Sequence, residues 1–207
     1  MESILDGIIT GVQNTAPEEW IAVITGLLSV WYSMKENILV YPFGIVSVLI
    51  YVYLAYNYQL YADMGVNAYY FVMSVYGWYH WKDTGGERKQ IPVTINDKRE
   101  NLIMITMFIG SFGLLAWFLM NFTDSDVPVW DALTTAFAIV GMWLMARKKL
   151  ESWIAWIITD LISIPLYFYK DLVLTSFQFL FFTIIAVGGL IAWYRSMKRE
   201  EIQFSAQ

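Results

Sequence analysis

The amino-acid sequence reads as an all-α integral membrane protein of seven transmembrane helices, set as two parallel three-helix repeats joined by a linker helix in a 3+1+3 order. Three features lead there: seven long apolar stretches, loops that alternate in charge, and an internal match at a spacing of 112 residues. The composition supports the environment. With 58% hydrophobic residues, 15% charged residues and a mean hydropathy of +0.50, the chain departs far from a water-soluble domain. A net charge of -5 is scattered over loops without a run of like charges, which gives no surface for nucleic acid. The absence of cysteine removes disulfides and thiolate nucleophiles, and a single histidine rules out a histidine-based metal cluster.

The elements follow in order. Residues 1–16 lack the basic region and cleavage site of a secretory signal. Their Ile4, Leu5, Ile8 and Val12 suit a short amphipathic helix on the membrane surface. A bilayer core of roughly 30 Å needs about 20 apolar helical residues. Such stretches fall at 18–35, 38–59, 63–82, 101–122, 128–146, 150–170 and 173–195. None alternates with the period of two that a barrel strand requires, so helices remain as the way to satisfy the backbone in lipid. Residues 83–100, with Gly85, Gly86 and Pro92, read as a long loop, and 196–207 as a tail. The repeats then span 17–82 and 128–195, with 101–122 as the linker.

Basic residues orient the bundle. Lys35, the group Lys82, Arg88, Lys89, Lys98 and Arg99, the run Arg147 to Lys149, and the tail with Arg195, Lys198 and Arg199 all fall on one side. The opposite loops, Asn57 to Asp63, Asn121 to Asp126 and Lys170 to Leu172, hold four Asp and one Lys. Short basic loops stay cytoplasmic, which places the N-terminus outside and the C-terminus inside. Sliding the chain by 112 residues superimposes Glu19 on Asp131, Trp31 on Trp143, Lys35 on Arg147, Leu54 on Leu166, Gly77 on Gly189 and Trp81 on Trp193 without a gap. Parallel repeats of three helices need one further helix between them, and the fourth span supplies it. Binding sites in such folds lie near the midplane, between the repeats.

The sixth span carries Trp153, Trp156, Asp160, Ser163 and Tyr167 at spacings that put all five on one face. Asp160 lies about ten residues from either end of its helix, and an ionisable group at that depth marks a functional site or a structural polar contact. No Lys or Arg stands at comparable depth in another span, so a cationic ligand or a proton is its natural partner. The two tryptophans suit an interfacial belt or, on the face of Asp160, stacking walls for a flat cation. The third span repeats the stripe with Asn67, Tyr70, Ser74, Trp78 and Trp81, and Gln178 on the seventh adds an amide that binds ligand or ties helices together. Pro42 and Pro165 are hinges or tolerated prolines. His80 sits at a helix end beside Trp81 and reads as interfacial. No nucleotide loop, zinc-ligand spacing or nucleophile elbow is found, and only one deep carboxylate, so neither an ATP-driven pump nor an enzyme is expected.

These residues resemble the PnuC-type vitamin transporters, bacterial relatives of the SWEET proteins. The likeness covers all seven spans. It rests on Tyr41-Pro42-Phe43-Gly44, on Asn67-Ala68-Tyr69-Tyr70 through Tyr76-Gly77-Trp78-Tyr79-His80-Trp81, and on Trp153-Ile154-Ala155-Trp156 followed by Asp160. The resemblance implies a facilitator of nicotinamide riboside uptake in the bacterial inner membrane, working by alternating access, with net flux maintained by cytoplasmic phosphorylation. Thiamine and riboflavin belong to related branches, and proton coupling through Asp160 is a second mechanism. It implies that Trp153 and Trp156 flank the substrate, while amides and hydroxyls of the third, sixth and seventh spans hold base and ribose. No cofactor is expected. The partners expected are the small-molecule substrate, the lipid bilayer and, by symmetric self-association, a second copy of the chain.

Overall fold

A computed structural model describes residues 16–59, 61–82, 91–170 and 173–205. They form seven α-helices: α1 Pro17–Met34, α2 Val40–Asn57, α3 Tyr61–Lys82, α4 Lys98–Phe122, α5 Pro128–Ala146, α6 Glu151–Tyr169 and α7 Val173–Ser205. The surface segment expected over 1–16 lies outside the described residues but for Ala16, as do 83–90 of the long loop. Five of the helices, α2, α4, α5, α6 and α7, are long and apolar enough to cross a membrane. The other two carry their polarity in readable places: Glu18 and Glu19 open α1, and α3 holds Asp63, Asn67, His80, Lys82 and five tyrosines.

Helix boundaries follow local chemistry. Proline in the first turn costs no intrahelical hydrogen bond and opens both α1 and α5. Pro42 also falls in a first turn, that of α2, and breaks nothing, whereas Pro165 lies inside α6. α4 begins three residues before the expected span because Asp97 and Glu100 form a reciprocal capping box. α7 does not stop at 195; its 33 residues run to Ser205, roughly 50 Å of helix at 1.5 Å per residue, well beyond a bilayer core.

α1, α2 and α3 pack in series, as do α5, α6 and α7, and the two triplets meet where α3 lies on α5 and α1 on α7. Those two junctions are equivalent under the shift of 112, so six helices close a ring. α4 stands outside it, packed chiefly on α5, with no buried residue in its length. Its Leu102, Ile105, Ile109, Leu114 and Trp117 are exposed as a lipid-facing surface.

The shift extends to atomic detail. α1 and α5 end in the same turn: Asn37 N–H donates to Tyr32 O at 2.9 Å, and Lys149 N–H to Leu144 O at 3.0 Å. In both turns the next residue after the cap is left-handed, Glu36 at φ 54° and Lys148 at φ 57°. Tyr41 of α2 and Trp153 of α6, also equivalents, each lie against a glycine of the next helix, Gly77 and Gly189.

Candidate substrate-binding cavity

The ring of helices encloses a cavity of about 340 Å³, a size suited to a small organic molecule. One end is sealed by an aromatic cluster. Trp81 and Trp193 are 0% exposed, and Tyr41 and Trp153 are 1% exposed. Tyr41 meets Trp81 edge-on at 5.2 Å between centroids, and its equivalent Trp153 meets Trp193 edge-on at 5.5 Å. Each outer indole then reaches into the opposite repeat: Trp81 Nε1 donates to Met145 O at 3.2 Å and Trp193 Nε1 to Ser33 O at 2.9 Å. At the other end the lining includes Asp63 and Tyr167, of α3 and α6, and Asp63 is exposed.

Asp160 lies in the wall between the two ends and is 4% exposed. Among the described residues no hydrogen bond or ion pair to it is found, and those that line the cavity include neither Lys nor Arg. Around it stand Thr159 and Ser163 of the same helix. The hydroxyl of Thr159 is committed to Ala155 O at 2.9 Å, while those of Ser163 and of Ser74 from α3 donate to no group among the described residues. The aromatic wall joins both repeats, for Tyr70 of α3 meets Trp156 of α6 edge-on at 6.4 Å. Trp156 is held on its far side by Gly141 of α5, where an added Cβ would stand 3.2 Å from the indole.

Of the residues selected from sequence, Trp153, Trp156, Asp160, Ser163, Tyr167, Tyr70 and Ser74 line this cavity. The two tryptophans do not act alike. Trp156 is half-buried and forms a side wall, whereas Trp153 is sunk in the sealed end against Gly189. Asn67, Trp78 and Gln178 are not part of the lining. The amide of Asn67 donates to the carbonyl of Asp63 one turn back in its own helix, at 2.9 Å. Trp78 packs against the outside of the aromatic cluster with the ammonium of Lys82 4.7 Å from its ring centre. On α7 it is Phe179, Phe182 and Ala186 that face inward instead of Gln178.

Sequence reasoning passed over Asp63, Tyr41 and the small hydroxyls Ser29, Ser33, Thr134, Thr135 and Thr159, all of which line the cavity. Tyr41 was within reach, since the shift of 112 pairs it with Trp153. The serines and threonines carry no such signal. Thr135 donates to Asp131 O at 2.8 Å, a bond one turn back that any membrane helix makes, and Ser29 donates across to Val40 O of α2 at 2.8 Å, a contact visible only once the helices are packed.

Comparison with known proteins agrees with this architecture. The chain is similar to the nicotinamide riboside transporter PnuC of Escherichia coli (strain K12), 25% identical over 205 residues that cover 87% of this chain and 86% of the relative. It is 24% identical over 192 residues to the riboflavin/roseoflavin transporter RibM of Streptomyces davaonensis, covering 91% of this chain and 89% of that one. Among solved structures it resembles the crystal structure of the vitamin B3 transporter PnuC, with a TM-score of 0.70 and 25% identity over 93% of this chain and 87% of the other. Residues 17–195, from the first turn of α1 through most of α7, match the profile of the family described as Nicotinamide mononucleotide transporter, and the chain belongs to that family of multi-pass membrane transporters.

Proposed function

We propose that this chain carries nicotinamide riboside across the bacterial inner membrane by alternating access, without chemistry on the substrate. The observation that carries the reading is Asp160: a buried carboxylate that has no partner among the described residues, in a cavity whose described lining holds no Lys or Arg. A buried charge is retained at high cost unless something neutralises it, and a flat pyridinium ring answers both the charge and the aromatic walls of Trp156 and Tyr70. The free hydroxyls of Ser74 and Ser163 suit the ribose. The curated relative in Escherichia coli, a nicotinamide riboside transporter, supports the assignment. The described lining residues include no Lys or Arg to compensate a phosphate, which disfavours a phosphorylated nucleotide as cargo.

The basic loops favour an outer N-terminus and a cytoplasmic C-terminus. On that orientation the cavity opens outward at Asp63 and is sealed toward the cytoplasm, where phosphorylation of the arriving nucleoside would maintain net flux. Thiamine is also a flat cation and is the alternative cargo. Proton coupling through Asp160 is the alternative mechanism.

Two measurements test the proposal. Nicotinamide riboside should quench the intrinsic tryptophan fluorescence of the purified protein saturably and more tightly than thiamine or riboflavin. Uptake into liposomes should equilibrate substrate to the same level with and without an imposed pH gradient. Saturable quenching by thiamine alone overturns the cargo, and accumulation driven by the gradient overturns facilitation.

A further inference from the structure

At the sealed end of the cavity the closing contacts cross from one repeat to the other. Glu36 of the α1–α2 turn and Lys148 of the α5–α6 turn are equivalents, and their side chains pair at 3.0 Å. Lys148 is 2% exposed. Its ammonium also donates to Ile91 O at 2.8 Å and stands 5.0 Å from the ring centre of Trp81. An ammonium that deep persists only with such partners. Residues 91–95 form a strap held to the turn of Lys148, with Thr94 N–H donating to Lys148 O at 3.3 Å and Leu150 N–H to Thr94 O at 2.9 Å. The strap therefore belongs with the second repeat, and Glu36 is the charged partner from the first.

The same end holds features that oppose closure. Both left-handed residues bear side chains where a glycine is usual, and strain of this kind persists only where its surroundings impose it. The buried Tyr41 hydroxyl and Trp153 indole N–H, another equivalent pair, have no hydrogen-bond partner among the described residues. An element stabilised by one set of contacts and strained by another is suited to two states. The opposite end is different. There Lys170 pairs with Asp131 at 2.7 Å inside the second repeat, and no ion pair between repeats is found among the described residues.

We propose that the Glu36–Lys148 pair is the latch of the gate at the sealed end of the cavity, with the strap 91–95 moving as part of the second repeat when the pair separates. The inference rests on the carrier reading above. Because the chain has no cysteine, Ala186→Cys places a single thiol in the cavity lining. Its rate of reaction with a membrane-impermeant maleimide is read in liposomes from each side separately, without substrate.

Glu36→Gln should raise the rate from the Lys148 side about tenfold and lower it from the Asp63 side, since a latch trades one opening for the other. Lys148→Met should do the same. Glu36 is partly exposed, so Gln is accommodated without repacking. Unchanged rates overturn the latch, and a rise from both sides overturns it equally, because loosening opens both ends. Labelling needs no ligand, so a failure to bind nicotinamide riboside would refute the cargo and leave the latch to these rates.

Discussion

The hydroxyl of Ser33 donates to the sulfur of Met145 at 2.9 Å, and the two residues are each other's equivalents, 112 positions apart. Contact between equivalents places them on the axis that relates α1 to α5. The indoles of Trp81 and Trp193 cross around it, Trp81 donating to the carbonyl of Met145 and Trp193 to that of Ser33, so that the two acceptors are equivalents as the two donors are. The symmetry belongs to the sealed end, where packing must match between repeats. It fails in the wall of the cavity: Asp160 corresponds to Val48, and Thr134 to Ala22. The repeats share a scaffold, and the second supplies the charge buried in the wall.

The two glycines under the aromatic cluster should be intolerant of a methyl group. A Cβ at Gly77 would stand 2.6 Å from Tyr41 Cε1, and one at Gly189 would stand 2.5 Å from Trp153 Cζ2. Neither ring can retreat, being about 1% exposed. Gly77→Ala and Gly189→Ala should each lower stability by about 1–3 kcal/mol, the usual range for overpacking. Gly110→Ala in α4, with nothing within 4 Å, should be neutral or stabilising. Thermal melts in detergent, followed by tryptophan fluorescence, compare the three.

The helices and their pairing were legible because lipid imposes long apolar spans and leaves charge only at the ends. The stripe on α6 was legible for the same reason, since Asp160 at mid-helix is costly enough to stand out. Stripes alone could not decide which way a half-polar helix turns. Asn67 shares the spacing of Tyr70 and Ser74, yet its amide is satisfied one turn back in its own helix. Gln178 sits one residue from Phe179, and a rotation of one position on a helix is about 100°. Trp153 and Trp156 differ in role because Gly189 opens a slot for one and Gly141 a ledge for the other, a distinction made by neighbours in space.

Asp160→Asn should separate binding from stability. The carboxylate is buried with no partner among the described residues, so the amide relieves desolvation and the melting temperature should hold or rise. Loss of a charge-assisted contact should weaken a cationic substrate about 10–100-fold. Titration of tryptophan quenching measures the affinity. A melting temperature that collapses with the substitution would assign Asp160 to the scaffold.

Asp63 should act on encounter rather than on bound affinity. It is exposed at the mouth of the cavity, in the neighbourhood of the Lys170–Asp131 pair. A charge so placed raises the local concentration of a cation and is screened by salt. Asp63→Asn should raise KM for uptake by about 2–5-fold at low ionic strength, with the difference vanishing near 1 M salt, where the screening length is about 3 Å. A salt-independent change in KM would move Asp63 into the binding site proper.

Trp156 should be the wall whose position sets affinity, and Gly141 the means of moving it. Trp156→Ala removes the face available to a cationic ring and should weaken binding by about thirtyfold, from roughly 2 kcal/mol for a desolvated cation–π contact. Gly141→Ala keeps the indole but sets a Cβ 3.2 Å from its Cε2 and 3.4 Å from the Cβ of Ala155. The ring can yield only toward the cavity, by a few tenths of an ångström. Affinity should fall about threefold, within the range that aromatic geometry commands, while the gain in helix propensity offsets the crowding and keeps the melting temperature level. An affinity untouched by Gly141→Ala, alongside the full loss in Trp156→Ala, would mean that the substrate tolerates a displaced wall and that contact alone, not placement, is what Trp156 contributes.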